Sequence, residues 1–290
     1  MKNRKKNLIV RITAAVAVVV MSLGMFAACG NEDKLVYGKE LVTLSSQLDT
    51  LTQLDAGTVD AAVIDSVMAR YYAKTGAYAG KVAIMDGTLK SEMYGIAARK
   101  GDSAFMSEIN KALIELAGNG KMNEIAEKFG LTADIAVNAE SSDTYAGAED
   151  SSWENIKTSG KIVIGYTVFA PIAFEEGGSL TGYDIELAKT LVGYLNEKYA
   201  LELDVEFQVI KWDSKEVLLE NGTIDLIWNG LTIDPERSEK MCISIPYLTN
   251  NQVAVVRKGD ADKYKTFADL KDAIIGVEAG SAGEGVVRGK

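Results

Sequence analysis

The chain has 290 residues, 47% of them hydrophobic and 25% charged, with 41 acidic against 31 basic side chains and a formal net charge of −10. That balance excludes nucleic acid as a partner, since phosphate recognition needs a basic surface. Histidine is absent, which removes the commonest metal ligand and the commonest general base near neutral pH and narrows any catalysis to carboxylates, Lys or Tyr; no metal, cofactor or catalytic residue is assigned.

The first elements are those of export. Lys2, Arg4, Lys5 and Lys6 precede a mostly apolar run from Ile12 to Ala28, the pattern of a secretory signal. Ala27-Ala28 before Cys29 resembles the lipobox of bacterial lipoproteins, which implies that Cys29 becomes an acylated N-terminus. An uncleaved membrane anchor is the alternative, but Thr13, Ser22 and Gly24 interrupt a run already near the lower limit for a span. Residues 1–28 are therefore read as signal peptide and 29–33 as a spacer behind a lipid anchor in the membrane. With Cys29 lipidated, Cys242 has no partner within the chain and reads as a small core residue. The length that remains exceeds one typical domain, so two lobes are expected.

Further along, a Leu-rich helix precedes Gly57-Thr-Val-Asp60, which opens an apolar strand ending near Asp65. Ser103 reads as the cap of a helix with Ile109, Leu113 and Leu116 on one face. Gly118-Asn119-Gly120 breaks it, and Met122 to Phe129 resumes helical spacing up to Gly130. Residues 139–152 have almost nothing to fill a core and read as a flexible linker. Lys161–Gly165 predicts a strand, Asp184–Ala200 a helix, Val205–Val209 a strand, Lys215–Glu220 a helix and Ile224–Trp228 a buried strand. Gly222-Thr-Ile-Asp225 echoes residues 57–60, so each lobe contains the same helix–turn–strand unit. This alternation predicts an α/β fold of doubly wound lobes, with ligand beyond the carboxyl ends of the strands, near Asp65 and Gly230. Ala273–Ala279 reads as a strand leading into Gly280-Ser281-Ala282-Gly283-Glu284, a turn whose amides converge on an anion; the lysine of a phosphate loop is missing.

A site for a free amino acid needs a forked cation, an anion and a shaped apolar wall. Residues 222–237, Gly-Thr-Ile-Asp-Leu-Ile-Trp-Asn-Gly-Leu-Thr-Ile-Asp-Pro-Glu-Arg, with Ser244-Ile-Pro-Tyr247 and Gln252-Val-Ala-Val-Val-Arg257, resemble the signature of polar amino-acid-binding proteins of ABC importers. The resemblance implies a type II periplasmic binding fold, two lobes on a two-stranded hinge. It implies that Arg237 forks onto the ligand carboxylate with the Thr232 amide, and that the Gly230 carbonyl and Asp65 hold the ammonium. Phe169 and Trp228 would form an aromatic wall, and Ser281 with the Ala282 amide would grip the carboxylate from the second lobe. The bland readings are a surface arginine, a helix-capping aspartate and core aromatics. Many relatives have an acidic residue shortly after Gly165, where this chain has Tyr166 and Thr167, so a basic ligand side chain is less well supported.

The order of segments departs from the family. Residues 34–91 plus 258–290 correspond to lobe 2, and 92–138 plus 153–257 to lobe 1, so the chain reads as a circular permutant with hinges near Met93–Ile96 and Val255–Gly259. A fragment of a tandem array is the alternative. The implied function is an extracytoplasmic, monomeric lipoprotein that binds a free L-amino acid and delivers it to an ABC transporter permease. Two other readings stay open. One is an enzyme on the same fold, a cyclic amino-acid dehydratase using Glu175 or Glu278. The other is a ligand-sensing lipoprotein without transport.

Overall fold

The computed structural model describes residues 35–290, so the expected signal peptide, Cys29 and its spacer lie outside the described residues. The first apolar segments fold as β1 (Glu40–Leu44), α1 (Gln47–Ala56), β2 (Ala61–Asp65), α2 (Ser66–Lys74) and β3 (Val82–Ile84). The long strand β4 (Lys90–Arg99) leads to α3 (Ser103–Gly118), α4 (Lys121–Phe129) and, beyond a loop, α5 (Ser152–Ser159). Then come β5 (Lys161–Tyr166), the hairpin of β6 (Phe174–Glu176) and β7 (Ser179–Thr181), α6 (Tyr183–Tyr199), β8 (Asp204–Val209) and α7 (Lys215–Glu220). The chain continues through β9 (Leu226–Thr232), α8 (Pro235–Lys240), β10 (Met241–Ile243), β11 (Leu248–Arg257), β12 (Ile274–Glu278) and α9 (Ala282–Arg288). Among the described residues, no helix is long and apolar enough to cross a membrane.

The main sheet runs β1-β12-β2-β11-β4-β9-β5-β8. It has two halves of the same plan. β1, β12 and β2 are parallel and β11 lies antiparallel to β2; β8, β5 and β9 are parallel and β4 lies antiparallel to β9. Because side chains alternate along a strand, both faces must be covered. In the first half Ala62 and Ile64 face Leu51, Leu54 and Met68 of α1 and α2, while Ala61 and Val63 join Ile275, Val277 and Val287 of β12 and α9 on the other face. In the second half Leu226 and Trp228 join the core under α3, α5 and α6, and Ile227 and Leu231 pack with Trp212 and Leu219. The first and last of the described residues meet on the first half, where the Val36 amide donates to the Val287 carbonyl at 2.8 Å.

The repeated Gly-Thr-aliphatic-Asp sequences do the same work in each half. Asp225 exchanges bonds with Val163, amide to carbonyl at 2.8 Å and carboxylate to amide at 2.9 Å, and Asp60 does so with Ile274 at the same distances. Each aspartate is also met by the arginine ending a long strand, Arg99 for Asp225 at 3.0 Å and Arg257 for Asp60 at 3.5 Å. Both arginines stand in Arg-Lys-Gly-Asp, and each pairs with the aspartate three residues on, Asp102 or Asp260.

Several boundaries differ from expectation. β9 starts at Leu226 because Asp225 is held in the turn, and it continues to Thr232 because Tyr94 and Gly95 pair with Thr232 and Leu231. The halves are joined by Lys90–Tyr94 of β4 against Leu248–Gln252 of β11. The second expected hinge, Val255–Gly259, begins inside the stretch of β11 already paired with β2 and β3.

Ser103 is the first helical residue of α3, and Asp102 at its N-cap makes no side-chain capping bond. The orphan amides are met from outside: Ala104 donates to Asp150 at 2.8 Å and Phe105 to Ser152 at 2.9 Å. The loop 139–151 before α5 contains no strand or helix, yet Asp143 accepts from Ser107 at 2.6 Å and Asn110 at 2.8 Å, and Tyr145 Oη accepts from the Ile243 amide at 3.0 Å. Composition alone predicts a free linker because those contacts are all polar. Asp143→Ala should strand the buried Ser107 and Asn110 and lower the unfolding free energy by about 1–3 kcal/mol, read from urea denaturation; an unchanged midpoint would show that the loop clamps nothing.

Candidate functional site

The parallel strands of both halves end on one cleft, as open α/β sheets place their ligands. β2 supplies Asp65, β12 and its turn supply Glu278, Ser281 and Ala282, β9 supplies Asn229 and Thr232, and the loop after β5 supplies Thr167, Val168 and Phe169. Gln47, Trp212, Arg237 and Gln252 complete the lining.

Arg237 is the third residue of α8, whose N-cap Asp234 accepts from the Arg237 amide at 2.8 Å, with Pro235 setting the first helical turn. Its guanidinium is held from behind. Nη1 donates to the Thr232 carbonyl at 2.8 Å, Nη2 to the Gly280 carbonyl at 3.3 Å, and Nε faces Asp234 at 3.3 Å. At 9% exposure it is not a surface arginine. A planar fork fixed in this way is oriented for a carboxylate.

Asp65 sits at the N-cap of α2 but makes no bond to that helix. Its carboxylate accepts instead from Gln47, Asn250 and Gln252, the last at 2.6 Å. Asn250 and Gln252 also donate to Glu92, at 2.6 and 2.9 Å, so two carboxylates share two amide donors. Burial, and then the neighbouring Glu92, hold the Asp65 carboxyl well above the usual carboxylate range. Thr232 Oγ1 donates to Glu92 at 3.1 Å, tying β9 to the same cluster.

Gly230 has φ +66°, and a Cβ there would lie 2.8 Å from the Phe169 ring, so both conformation and space require glycine. Its amide donates to Asp184 at 3.1 Å, which also accepts from Tyr247 Oη at 2.8 Å; burial pushes that carboxyl up to about 7. Gly230 supports Phe169 and does not itself line the cleft. Trp228 is 1% exposed, edge-on to Tyr247 in the core, because strand alternation turns it under the helices. The tryptophan in the wall is Trp212, with Lys215 Nζ over its ring at 4.8 Å. Lys215 donates to the carbonyls of Trp212 and Gly280, both at 3.2 Å, and burial, followed by Arg237, pulls it down to about 8.

Ser281 lines the cleft and caps α9, accepting from the Glu284 amide at 3.2 Å. Glu278 is 4% exposed with Oε1 unbonded, and burial pushes its carboxyl up to about 8. Glu175 lies elsewhere, in a surface depression with Tyr71 and Phe174. Of the residues implied by the resemblance, Asp65, Phe169, Thr232, Arg237, Ser281 and Ala282 line this cleft, and Gln47, Trp212, Asn229 and Gln252 line it without having been expected. A polar residue opening the apolar run Gln252-Val-Ala-Val-Val was the available signal for Gln252.

Residues 162–279 match the family described as bacterial extracellular solute-binding proteins, family 3. Over that segment the chain is similar to this family. Among curated members it is 30% identical to the L-cystine-binding protein TcyJ of Escherichia coli (strain K12) over 136 residues, 46% of this chain and 49% of that one. It is 31% identical to the arginine-binding extracellular protein ArtP of Bacillus subtilis (strain 168) over 142 residues, 49% of this chain and 52% of that one. The chain thus spans about half the length of the curated relatives it matches. A solved polar amino acid ABC uptake transporter substrate-binding protein from Streptococcus thermophilus is 41% identical over 33% of this chain and 35% of its own, with a TM-score of 0.27.

Asp65, Asp184 and Glu278 all have raised carboxyl pKa values in the folded chain, which therefore keeps protons that the unfolded chain loses above its ordinary carboxyl pKa. Their contribution is fully present at low pH; that of Asp184 is lost as pH rises through about 7 and that of Glu278 as it rises through about 8. The melting temperature should fall between pH 5 and pH 8, by about 2–4 °C for each kcal/mol lost, and Glu278→Gln should make the fall shallower. A slope unaltered by that substitution would show that Glu278 does not retain its proton.

Proposed function

We propose that the chain captures a free L-amino acid between two lobes outside the cytoplasm and delivers it to an ABC importer. What carries the reading is a guanidinium and a carboxylate, Arg237 and Asp65, facing one cleft from opposite halves of the sheet, matched to the two charged ends of an α-amino acid. Thr232, Ser281 and Ala282 would complete the carboxylate grip, and Phe169 with Trp212 would form the wall. The role is binding rather than catalysis, because the charged groups pair with ligand ends. The anchor would be lipidated Cys29.

In this reading lobe 2 comprises residues 35–91 with the C-terminal segment and lobe 1 the remainder, in circularly permuted order. The bond from Val36 to Val287 and the clamped loop 139–151 support it. A chain rejoined from residue 290 to residue 35 and opened within residues 144–149 should fold and bind the same ligand; loss of folding in the rejoined chain sinks the permutation.

Ligand at about a hundred times its dissociation constant adds roughly 2.7 kcal/mol to the folded state, so at least one L-amino acid should raise the melting temperature by about 5 °C or more. Arg237→Met and Asp65→Asn should each weaken binding by about 2–5 kcal/mol without changing circular dichroism. Mutants that bind like the parent would place the site elsewhere.

A further inference from the structure

Glu278 ends β12 inside the cleft, buried, with Oε1 lacking any donor. Two further acceptors of the same lining, Asn229 Oδ1 and Gln252 Oε1, are also buried and unbonded. The cations nearby are committed elsewhere: Lys215 to the carbonyls of Trp212 and Gly280, and Arg237 to Thr232, Gly280 and Asp234. Buried acceptors normally have donors. Here several without one face the space an amino acid would occupy, beyond the fork for its carboxylate.

We propose that Glu278 selects the side chain of the bound amino acid, and that this side chain carries a cationic nitrogen, an ammonium or a guanidinium. The inference rests on the amino-acid-binding reading. An aliphatic side chain leaves the acceptors dry, and an acidic one adds acceptors where donors are lacking, whereas a cation draws the buried Glu278 carboxyl back to its ionised form. A side-chain amide brings a carbonyl of its own among them. An ammonium or guanidinium brings donors only. The aromatic faces of Phe169 and Trp212 in the same wall suit a cation as well. The carboxylate therefore comes from β12, in the half of the sheet opposite to β5 and the loop that follows it.

The test is calorimetric titration of the whole chain with L-arginine against its neutral isostere L-citrulline, and with L-lysine against L-norleucine. Each cationic ligand should bind at least about tenfold more tightly than its neutral partner, a difference of about 1.4 kcal/mol. Glu278→Gln should bring the ratio to within about threefold while citrulline affinity stays nearly unchanged. Neutral isosteres that bind the parent as well as the cations, or a ratio that survives Glu278→Gln, overturn the assignment. Should Glu278→Gln not fold, the ratios on the parent decide. Capture of glutamine, leucine or glutamate in preference to the cations removes the role of Glu278 and leaves amino-acid binding standing; no response to any amino acid removes both.

Discussion

The pairing of Lys90–Tyr94 with Leu248–Gln252 is the constraint on which the remainder of the molecule depends. These two stretches are the first halves of β4 and β11, the strands that run from one half of the sheet into the other. Pairing them joins the halves and, in the same step, turns Glu92, Asn250 and Gln252 toward Asp65. The acidic end of the cleft is thus built from the backbone register that connects the halves. A change in that register would alter the charge of the site as well as the angle between the sheets, since a slip of one residue sends each side chain to the opposite face.

The far ends of the same strands are fastened by one device used twice. Arg99 and Arg257 each reach an aspartate in the turn before a parallel strand and a second aspartate three residues on, and Arg99 Nη1 and Arg257 Nη1 also donate to the backbone of that turn. Each half is then a unit of three parallel strands closed by one antiparallel strand. The two arginines are only about one quarter exposed, where such networks are screened less than ion pairs in open water.

Much of this is legible in the sequence because it is written in local terms. The Leu-rich helices, the glycine stops and the two Gly-Thr-aliphatic-Asp turns come from periodicity and backbone conformation, and they fall within a few residues of the observed elements. The Arg-Lys-Gly-Asp echo was equally visible, though its meaning depends on which turn each arginine reaches. Trp228 and Trp212 show where reading by residue type stops: both are buried aromatics, and only strand alternation and the neighbouring helices decide which one faces the cleft. Glu278 could be named as a carboxylate but not assigned a role, since the carbonyls that take up the hydrogen bonds of Lys215 and Arg237 belong to separate segments. The loop 139–151 misleads for the opposite reason. Its polar composition is that of an unattached chain, and its attachment is made through polar groups and the single ring of Tyr145.

Lys215 and Arg237, carried by α7 and α8, both donate to the carbonyl of Gly280, in the turn after β12. The bridge between the halves therefore ends on an atom that every amino acid possesses. No side-chain substitution at position 280 can delete that acceptor, yet the residue has φ +70°, a conformation glycine adopts without penalty and others resist. Drift in the sequence can disturb the bridge there only by bending the main chain, so tolerance at this position is governed by geometry and not by chemistry.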